Sequence, residues 1–155
     1  FLMANSHVGH NARLGDEVIL VNGAALGGHV VVQNRAFISG NCLVHQFVRI
    51  GTLSLIHGGA TMSKDVPPYT LTRGENSLCG LNTVGLRRAG FTNEQRLELR
   101  RLYHLLFRTG VKLRSALEKA KREFASEFAH VLIEFILSSE RGVCADPSRS
   151  EETGD

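Results

Sequence analysis

The stretch LGGHVVVQNRAFISGNCLVHQFVRI, residues 26–50, returns an aliphatic residue every six positions, at Leu26, Val32, Ile38, Val44 and Ile50. Followed outward, the same period begins at Leu2, passes Val8, Leu14 and Leu20, and continues to Ile56 and Met62. A second lane lies four places later: Ser6, Ala12, Val18, Ala24, Val30, Ala36, Cys42, Val48, Ser54, Ala60 and Val66. It holds only small or β-branched residues, as required where the chain bends tightly and the interior has room for little beyond a methyl group. Glycine follows the aliphatic residue at Gly9, Gly15, Gly27 and Gly51, where a corner is expected to use its freedom at positive φ. A period of six fits neither a 3.6-residue helix nor a two-residue alternation. It fits short strands, each turned at a corner and stacked as a parallel β-helix of hexapeptide repeats over the first 66 residues.

Beyond the coil the period changes. Asp65-Val66-Pro67-Pro68-Tyr69 removes two backbone donors and is expected to stop the ladder. The fold class is therefore mainly β plus α. A β-helix over 1–69 and a glycine-rich irregular connector over 70–91 lead to an α-helical domain over 92–140 and a disordered tail over 141–155. Thr92 with Gln95 forms a capping box for a helix from about Asn93 to Arg108, closed by Gly110. Its apolar stripe is Leu97, Leu99, Leu102, Leu105 and Leu106. Further helices are expected over about Leu113–Ala125 and Glu127–Ser139, the latter burying Val131, Leu132, Phe135 and Ile136.

The chain has 155 residues, of which 43% are hydrophobic, enough for a real core. Phe1 opens inside a repeat, so upstream coils are expected to precede it in a longer protein. Three cysteines without CxxC spacing fit a reduced, cytoplasmic protein. No segment reaches the ~18 apolar residues of a membrane span. The net charge is only +3, yet Arg87 to Arg122 holds eleven Lys or Arg against three Glu. This imbalance suits an acidic partner, although an ordinary solvated helix face explains it equally well.

Residues eighteen apart in such a coil stack at roughly the 4.8 Å spacing of neighbouring strands. His10, Gly28 and Gln46 then share one column, with His7, His29 and His45 close by. Four of the seven histidines gather there. An imidazole can take a proton from a hydroxyl at neutral pH. A glycine beside it leaves a backbone N–H open to an oxyanion, and Gln46 can donate or accept without changing charge. These are the parts of direct acyl transfer from a thioester to an alcohol, with no nucleophilic Ser or Cys in place. A zinc site, as in γ-type carbonic anhydrases that share the fold, is the metal-binding rival. A solenoid scaffold or carrier-binding module is the non-enzymatic one.

The hexad pattern resembles that of the hexapeptide acyltransferases, which implies a left-handed coil. Asn5-Ser6-His7-Val8-Gly9-His10-Asn11, Leu26-Gly27-Gly28-His29, Val44-His45-Gln46-Phe47, Asp65-Val66-Pro67-Pro68-Tyr69, Gly80-Leu81-Asn82 and Gly85-Leu86-Arg87-Arg88-Ala89-Gly90-Phe91 together resemble the UDP-N-acetylglucosamine O-acyltransferase family. The likeness covers about residues 1–140. It implies transfer of a 3-hydroxyacyl chain from acyl carrier protein to the 3-hydroxyl of UDP-N-acetylglucosamine, the first acylation of lipid A synthesis. It further implies His10 as general base and the Gly28 N–H as oxyanion donor, with His7, Asn11, His29, His45 and Gln46 along the substrate cleft. Gly58 matches the position that admits a long acyl chain, and Asn82 and Arg88 match nucleotide-side contacts. The implied assembly is a homotrimer with clefts between subunits. No metal, resident cofactor or nucleic acid is implied, since the phosphopantetheine arrives on the carrier protein. Asn11 stands where the family carries an Asp, and Ala89 where it carries a second arginine. The related UDP-3-O-acylglucosamine N-acyltransferase is the nearest enzymatic alternative.

Overall fold

A computed structural model describes residues 1–148. Ten two-residue strands carry the coil: β1 (His7–Val8), β2 (Arg13–Leu14), β3 (Ile19–Leu20), β4 (Ala25–Leu26), β5 (Val31–Val32), β6 (Phe37–Ile38), β7 (Leu43–Val44), β8 (Arg49–Ile50), β9 (Leu55–Ile56) and β10 (Thr61–Met62). They are followed by β11 (Thr70–Arg73), β12 (Ser77–Leu81), α1 (Thr83–Arg88), α2 (Asn93–Phe107), α3 (Leu113–Glu123) and α4 (Glu127–Leu137). Three sheets form, ordered β1-β4-β7-β10, β2-β5-β8 and β12-β11-β9-β6-β3. Within the coil all pairs are parallel and the register steps by eighteen residues, as in His7↔Ala25↔Leu43↔Thr61.

Both lanes point inward. Leu20, Leu26, Val32, Ile38, Ile50, Ile56 and Met62 of the first lane are almost wholly buried, as are Ala24, Val30, Ala36, Cys42, Val48 and Ala60 of the second. The interior is thus filled by alternating long and short side chains, as close packing demands.

Positive φ falls at a different corner position from the expected one. It recurs every six residues at Asn5, Asn11, Glu17, Gly23, His29, Arg35, Asn41, Phe47, Leu53 and Gly59. Gly9, Gly15, Gly27 and Gly51 are instead places of close approach. A Cβ on Gly27 would stand 2.6 Å from the Gln46 nitrogen, and one on Gly51 2.3 Å from the Pro68 nitrogen.

The prolines do not end the ladder. β11 pairs with β9 in parallel with Leu71 opposite Leu55, a step of sixteen, and β12 then turns back antiparallel on β11. Pro67 and Pro68 occupy a corner where their missing N–H groups have no partner to lose; the two residues are lost before them, between Met62, which still pairs with Val44 eighteen back, and Val66, which bridges Ile50 sixteen back. The hexad period consequently stops at Met62, and Val66 bridges Ile50 instead of holding the second lane. The expected irregular connector is therefore a sheet extension, a hairpin and a short helix.

Helix α2 begins at the Thr92–Gln95 capping box as expected, but Leu97 is 52% exposed and lies outside its buried stripe. On α4, Ala129, Leu132, Ile133, Phe135 and Ile136 are buried while Val131 is exposed. Of the predicted disordered tail, residues 141–148 are docked and 149–155 lie outside the described residues. Val143 bridges Asp65, Ala145 bridges Ser77, and Cys144 is fully buried. The signal missed was Val143-Cys144, two apolar residues inside a polar stretch. Asp146 then receives Tyr103 Oη at 2.7 Å and Arg108 Nε at 2.9 Å, which ties the segment to α2. Arg49 and Asp65 join coil to helices. Arg49 Nε donates to Asp65 Oδ2 and Nη2 to the Phe135 carbonyl, while Ser139 Oγ also donates to Asp65.

Candidate active site

His10, Gly28 and Gln46 stand one above another at the corner between the β1-β4-β7-β10 and β2-β5-β8 sheets. The stacking is fixed by main-chain bonds from His29 N to His10 O (2.9 Å) and from Phe47 N to Gly28 O (3.0 Å). The next column, Asn11, His29 and Phe47, is left-handed throughout, with φ of 60°, 58° and 65°. Each carries a Cβ in a region that costs such residues of order 1 kcal/mol or more.

Asn11 lies beside the candidate base. Its Oδ1 stands 3.2 Å from His10 Nδ1, and a carboxamide oxygen only accepts. The ring therefore carries its proton on Nδ1, leaving the Nε2 lone pair free, as a general base requires. That Nε2 hangs over Gly28, where a Cβ would come within 2.6 Å of it. The Gly28 N–H makes no main-chain hydrogen bond among the described residues, because the ladder uses Gly27 N and His29 N on either side. The His10 ring and this unused donor thus belong to the same corner.

His29 meets the His10 ring edge-on, with centroids 5.1 Å apart, and lies flat on Phe47 at 4.8 Å. Phe47 is 53% exposed despite its strained backbone. A groove of about 410 Å³ lined by Asn11, Ala12, Arg13, His29 and Val31 opens beside these rings. His7 is exposed at the start of β1 and, among the described residues, bonds through its backbone alone. His45 precedes Gln46, with Nδ1 at 3.1 Å from the Gln46 carbonyl and 3.3 Å from Arg141 Nη2.

Three predicted residues lie elsewhere on this chain. Gly58 stacks on Gly40 at the far edge of the β1-β4-β7-β10 sheet, and a Cβ there would meet only ordinary contacts, at 3.5 Å from Gly40 O. Asn82 is buried and occupied: it caps α1 by accepting from Gly85 N, and its Nδ2 donates to Leu53 O at the third corner. Arg88 is exposed in the last turn of α1. Sequence reasoning missed Arg13, Phe47 and Arg141. The alternation of a two-residue strand turns Arg13 outward and was the available signal. Nothing local pointed to Arg141, which reaches His45 only through the docked tail.

Among the described residues, no three His, Cys, Asp or Glu side chains converge as a metal-ligand set. No helix is long and apolar enough to cross a membrane.

The family described as UDP N-acetylglucosamine O-acyltransferase, domain 2, matches residues 65–144. A relative from Syntrophobacter fumaroxidans, named acyl-[acyl-carrier-protein]–UDP-N-acetylglucosamine O-acyltransferase, is 44% identical over 146 residues, 92% of this chain and 57% of its own. A protein of the same name from Anaeromyxobacter dehalogenans is 37% identical over 144 residues, 91% of this chain and 56% of its own. The solved UDP-N-acetylglucosamine acyltransferase of Francisella novicida superposes with a TM-score of 0.88 at 36% identity, covering 93% of this chain and 54% of that one. That of Campylobacter jejuni gives 0.86 at 33% identity, covering 90% and 55%. The chain spans little more than half the length of these relatives, and its coil is the left-handed β-helix they share.

Proposed function

The chain belongs to the UDP-N-acetylglucosamine O-acyltransferase family, and from that membership we propose that it carries the catalytic corner of an acyl-carrier-protein-dependent O-acyltransferase. The reaction moves a 3-hydroxyacyl chain from acyl carrier protein to the glucosamine 3-hydroxyl of UDP-N-acetylglucosamine, the first step of lipid A biosynthesis. His10 Nε2 removes the hydroxyl proton as the oxygen attacks the thioester carbonyl. The Gly28 N–H receives the developing oxyanion, and the pantetheine thiol leaves with a proton returned from His10. A general base supplies about 10²- to 10⁴-fold and an oxyanion donor about 10²- to 10³-fold. One observation carries the reading: His10 Nε2 lies so close to Gly28 that any side chain at position 28 would displace it, and the Gly28 N–H has no main-chain partner among the described residues.

A homotrimer completes this site. Gly58 at another corner of the coil and Arg88 on α1 lie away from His10, so they reach its substrate only from a neighbouring copy in a closed C3 assembly, where Asn82, engaged with Gly85 N and Leu53 O, shapes the face from beneath. The outward residues Ile19, Phe37, Leu55 and Leu71 of one sheet give that neighbour an apolar face. Acyl carrier protein is acidic, and the surface depressions on α2 and α3 are lined by Arg96, Arg100, Arg101 and Lys119 together with Glu94, Glu98 and Glu123, so the basic side chains outnumber the acidic ones there by one. A cytoplasmic setting suits both substrates and the three free thiols.

The test is acyl transfer from 3-hydroxyacyl carrier protein to UDP-N-acetylglucosamine. It is measured with the chain and with a chimaera adding the upstream coils of a full-length relative. We expect His10→Ala to cost at least 10²-fold with unchanged thermal unfolding. A rate indifferent to that change would leave only a binding or scaffold role, and preference for an amine acceptor would point to the N-acyltransferase.

A further inference from the structure

We propose that Arg141 is a positioning residue that holds His45 in the tautomer protonated on Nε2, so that His45 meets the substrate as a hydrogen-bond donor. The donor role rests on the acyl-transfer reading; the tautomer does not.

Arg141 is anchored beside the last coil. Its Nε donates to Ser63 O at 3.1 Å, and the residues after it are bonded through Asp65 N to Gly142 O (3.0 Å) and Cys144 N to Asp65 O (2.9 Å). From there Nη2 reaches His45 Nδ1 at 3.3 Å. A guanidinium has donors and no acceptor, so this bond exists only while Nδ1 carries a lone pair.

The same Nδ1 has a second suitor of opposite demand. It lies 3.1 Å from the Gln46 carbonyl, which can bond it only if Nδ1 is protonated. That carbonyl is open for a topological reason. The equivalent carbonyls of His10 and Gly28 accept from the residue nineteen positions on, His29 and Phe47. Above Gln46 the corner is two residues shorter: Val66 already bridges Ile50, sixteen back, so Asp65 stands beside Arg49, and the Ser63 and Lys64 N–H groups go to Asn76 Oδ1. The shortened corner leaves the Gln46 carbonyl without a ladder donor, and the docked tail brings the guanidinium to His45. Between the two arrangements, the charge-assisted bond is roughly twice as strong as a neutral one, and an N–H on Nδ1 would point at the N–H of Arg141. The Nε2–H tautomer wins.

The corner then holds two histidines of opposite polarity. His10 offers a lone pair on Nε2 because Asn11 accepts from its Nδ1–H. His45 offers a proton on Nε2 because Arg141 donates to its Nδ1. Only the first is equipped as a base. The second suits an oxygen of the acceptor sugar or the thioester.

Two-bond 1H–15N correlation on histidine-labelled chain, without substrate and at a pH where the rings are neutral, reads the tautomer directly. The expected spectrum shows His45 with unprotonated Nδ1 and protonated Nε2, shifting toward Nδ1–H in Arg141→Ala and restored in Arg141→Lys, which keeps a donor. A parent His45 protonated on Nδ1, or an Arg141→Ala spectrum unchanged from the parent, overturns the proposal. In the chimaera, kcat/KM should fall roughly tenfold for Arg141→Ala and recover in Arg141→Lys, as for the loss of one substrate hydrogen bond. A tautomer shift with unchanged kcat/KM overturns the donor role. Inactivity of the parent chimaera counts against the acyl-transfer reading, while the spectrum still decides the tautomer.

Discussion

The imidazole of His10 covers the α-carbon of Gly28 so closely that a β-carbon there would lie 2.8 Å from Cε1 and 3.1 Å from Cδ2. Gly28→Ala must therefore displace the ring, and with it Nε2, from its place over the Gly28 α-carbon. Activity should drop by at least 10²-fold, while the melting temperature changes little because the corner is exposed and the ring can swing out. Steady-state kinetics beside a thermal melt check this. A variant as active as the parent would remove the geometric basis for the mechanism.

Asn11 orients His10 but brings no charge. As His10 takes a proton, a carboxylate at this position would accept the same Nδ1–H bond and stabilise the imidazolium, which a carboxamide does only weakly. Asn11→Asp keeps the size and the left-handed backbone that Asn and Asp both tolerate. We expect kcat to rise roughly tenfold and the pH–rate profile to shift, whereas Asn11→Ala should lower kcat. Equal rates for all three would show that the 3.2 Å contact does not orient the base.

How much of this was legible in the sequence depends on range. The inward lanes and the eighteen-residue register were readable because each residue's burial repeats with the period, and the His10–Gly28–Gln46 column follows arithmetically. The register slip after Met62 was not readable, since the sequence of Asp65 to Tyr69 marks a turn without saying whether the sheet resumes beyond it. The Asp65–Gly142 and Asp146–Tyr103 contacts join residues 77 and 43 positions apart through tertiary packing alone. Arg141 entered the candidate site by that route. The glycines after the aliphatic residues were visible, but their reason is close approach of the next coil, which a single hexad cannot display.

Asp65 is the joint between coil and helical layer. Its side chain is 2% exposed and receives Arg49 N at 2.8 Å, Arg49 Nε at 3.0 Å and Ser139 Oγ at 2.8 Å. Asp65→Ala strands the Arg49 guanidinium against Phe135, over whose ring it sits at 4.4 Å. Removing one partner of such a pair costs about 3 kcal/mol, equivalent to a fall of roughly 6–12 °C in Tm. Calorimetry should also show loss of cooperativity between coil and helices, and a shift below about 2 °C would contradict the joint.

Thr72 holds the inward position opposite Ile56 in β11, where the coil otherwise places an aliphatic residue. Its hydroxyl is buried without a hydrogen-bond partner among the described residues. Thr72→Val replaces the oxygen by a methyl group of similar size and should stabilise the chain by about 1 kcal/mol, since an unmet buried polar group costs about 1–3 kcal/mol. Urea unfolding would show a higher midpoint with an unchanged slope. A lower midpoint would mean that the hydroxyl is satisfied in solution.

Asp146 makes the docked tail sensitive to acid. Burial pushes its carboxyl up, but hydrogen bonds from Ser148, Arg108 and Tyr103 outweigh that and hold it down at about 2. The unfolded carboxyl titrates near ~3.9. Because the folded value is the lower, the stabilisation is fully present above about pH 5 and is lost as pH falls toward 2, amounting to about 2–3 kcal/mol. Other carboxylates titrate in the same window, so the comparison must be between the parent and Asp146→Asn. Their difference in unfolding free energy should be constant from pH 7 to 5 and shrink steadily below about pH 4. Arg108 and Tyr103 keep their own charge states throughout that range, because Arg108 is raised by Asp146 and the Tyr103 phenol is driven far up by burial and by the same carboxylate. A difference that stays flat down to pH 2.5 would show that Asp146 is not the group whose protonation releases the tail.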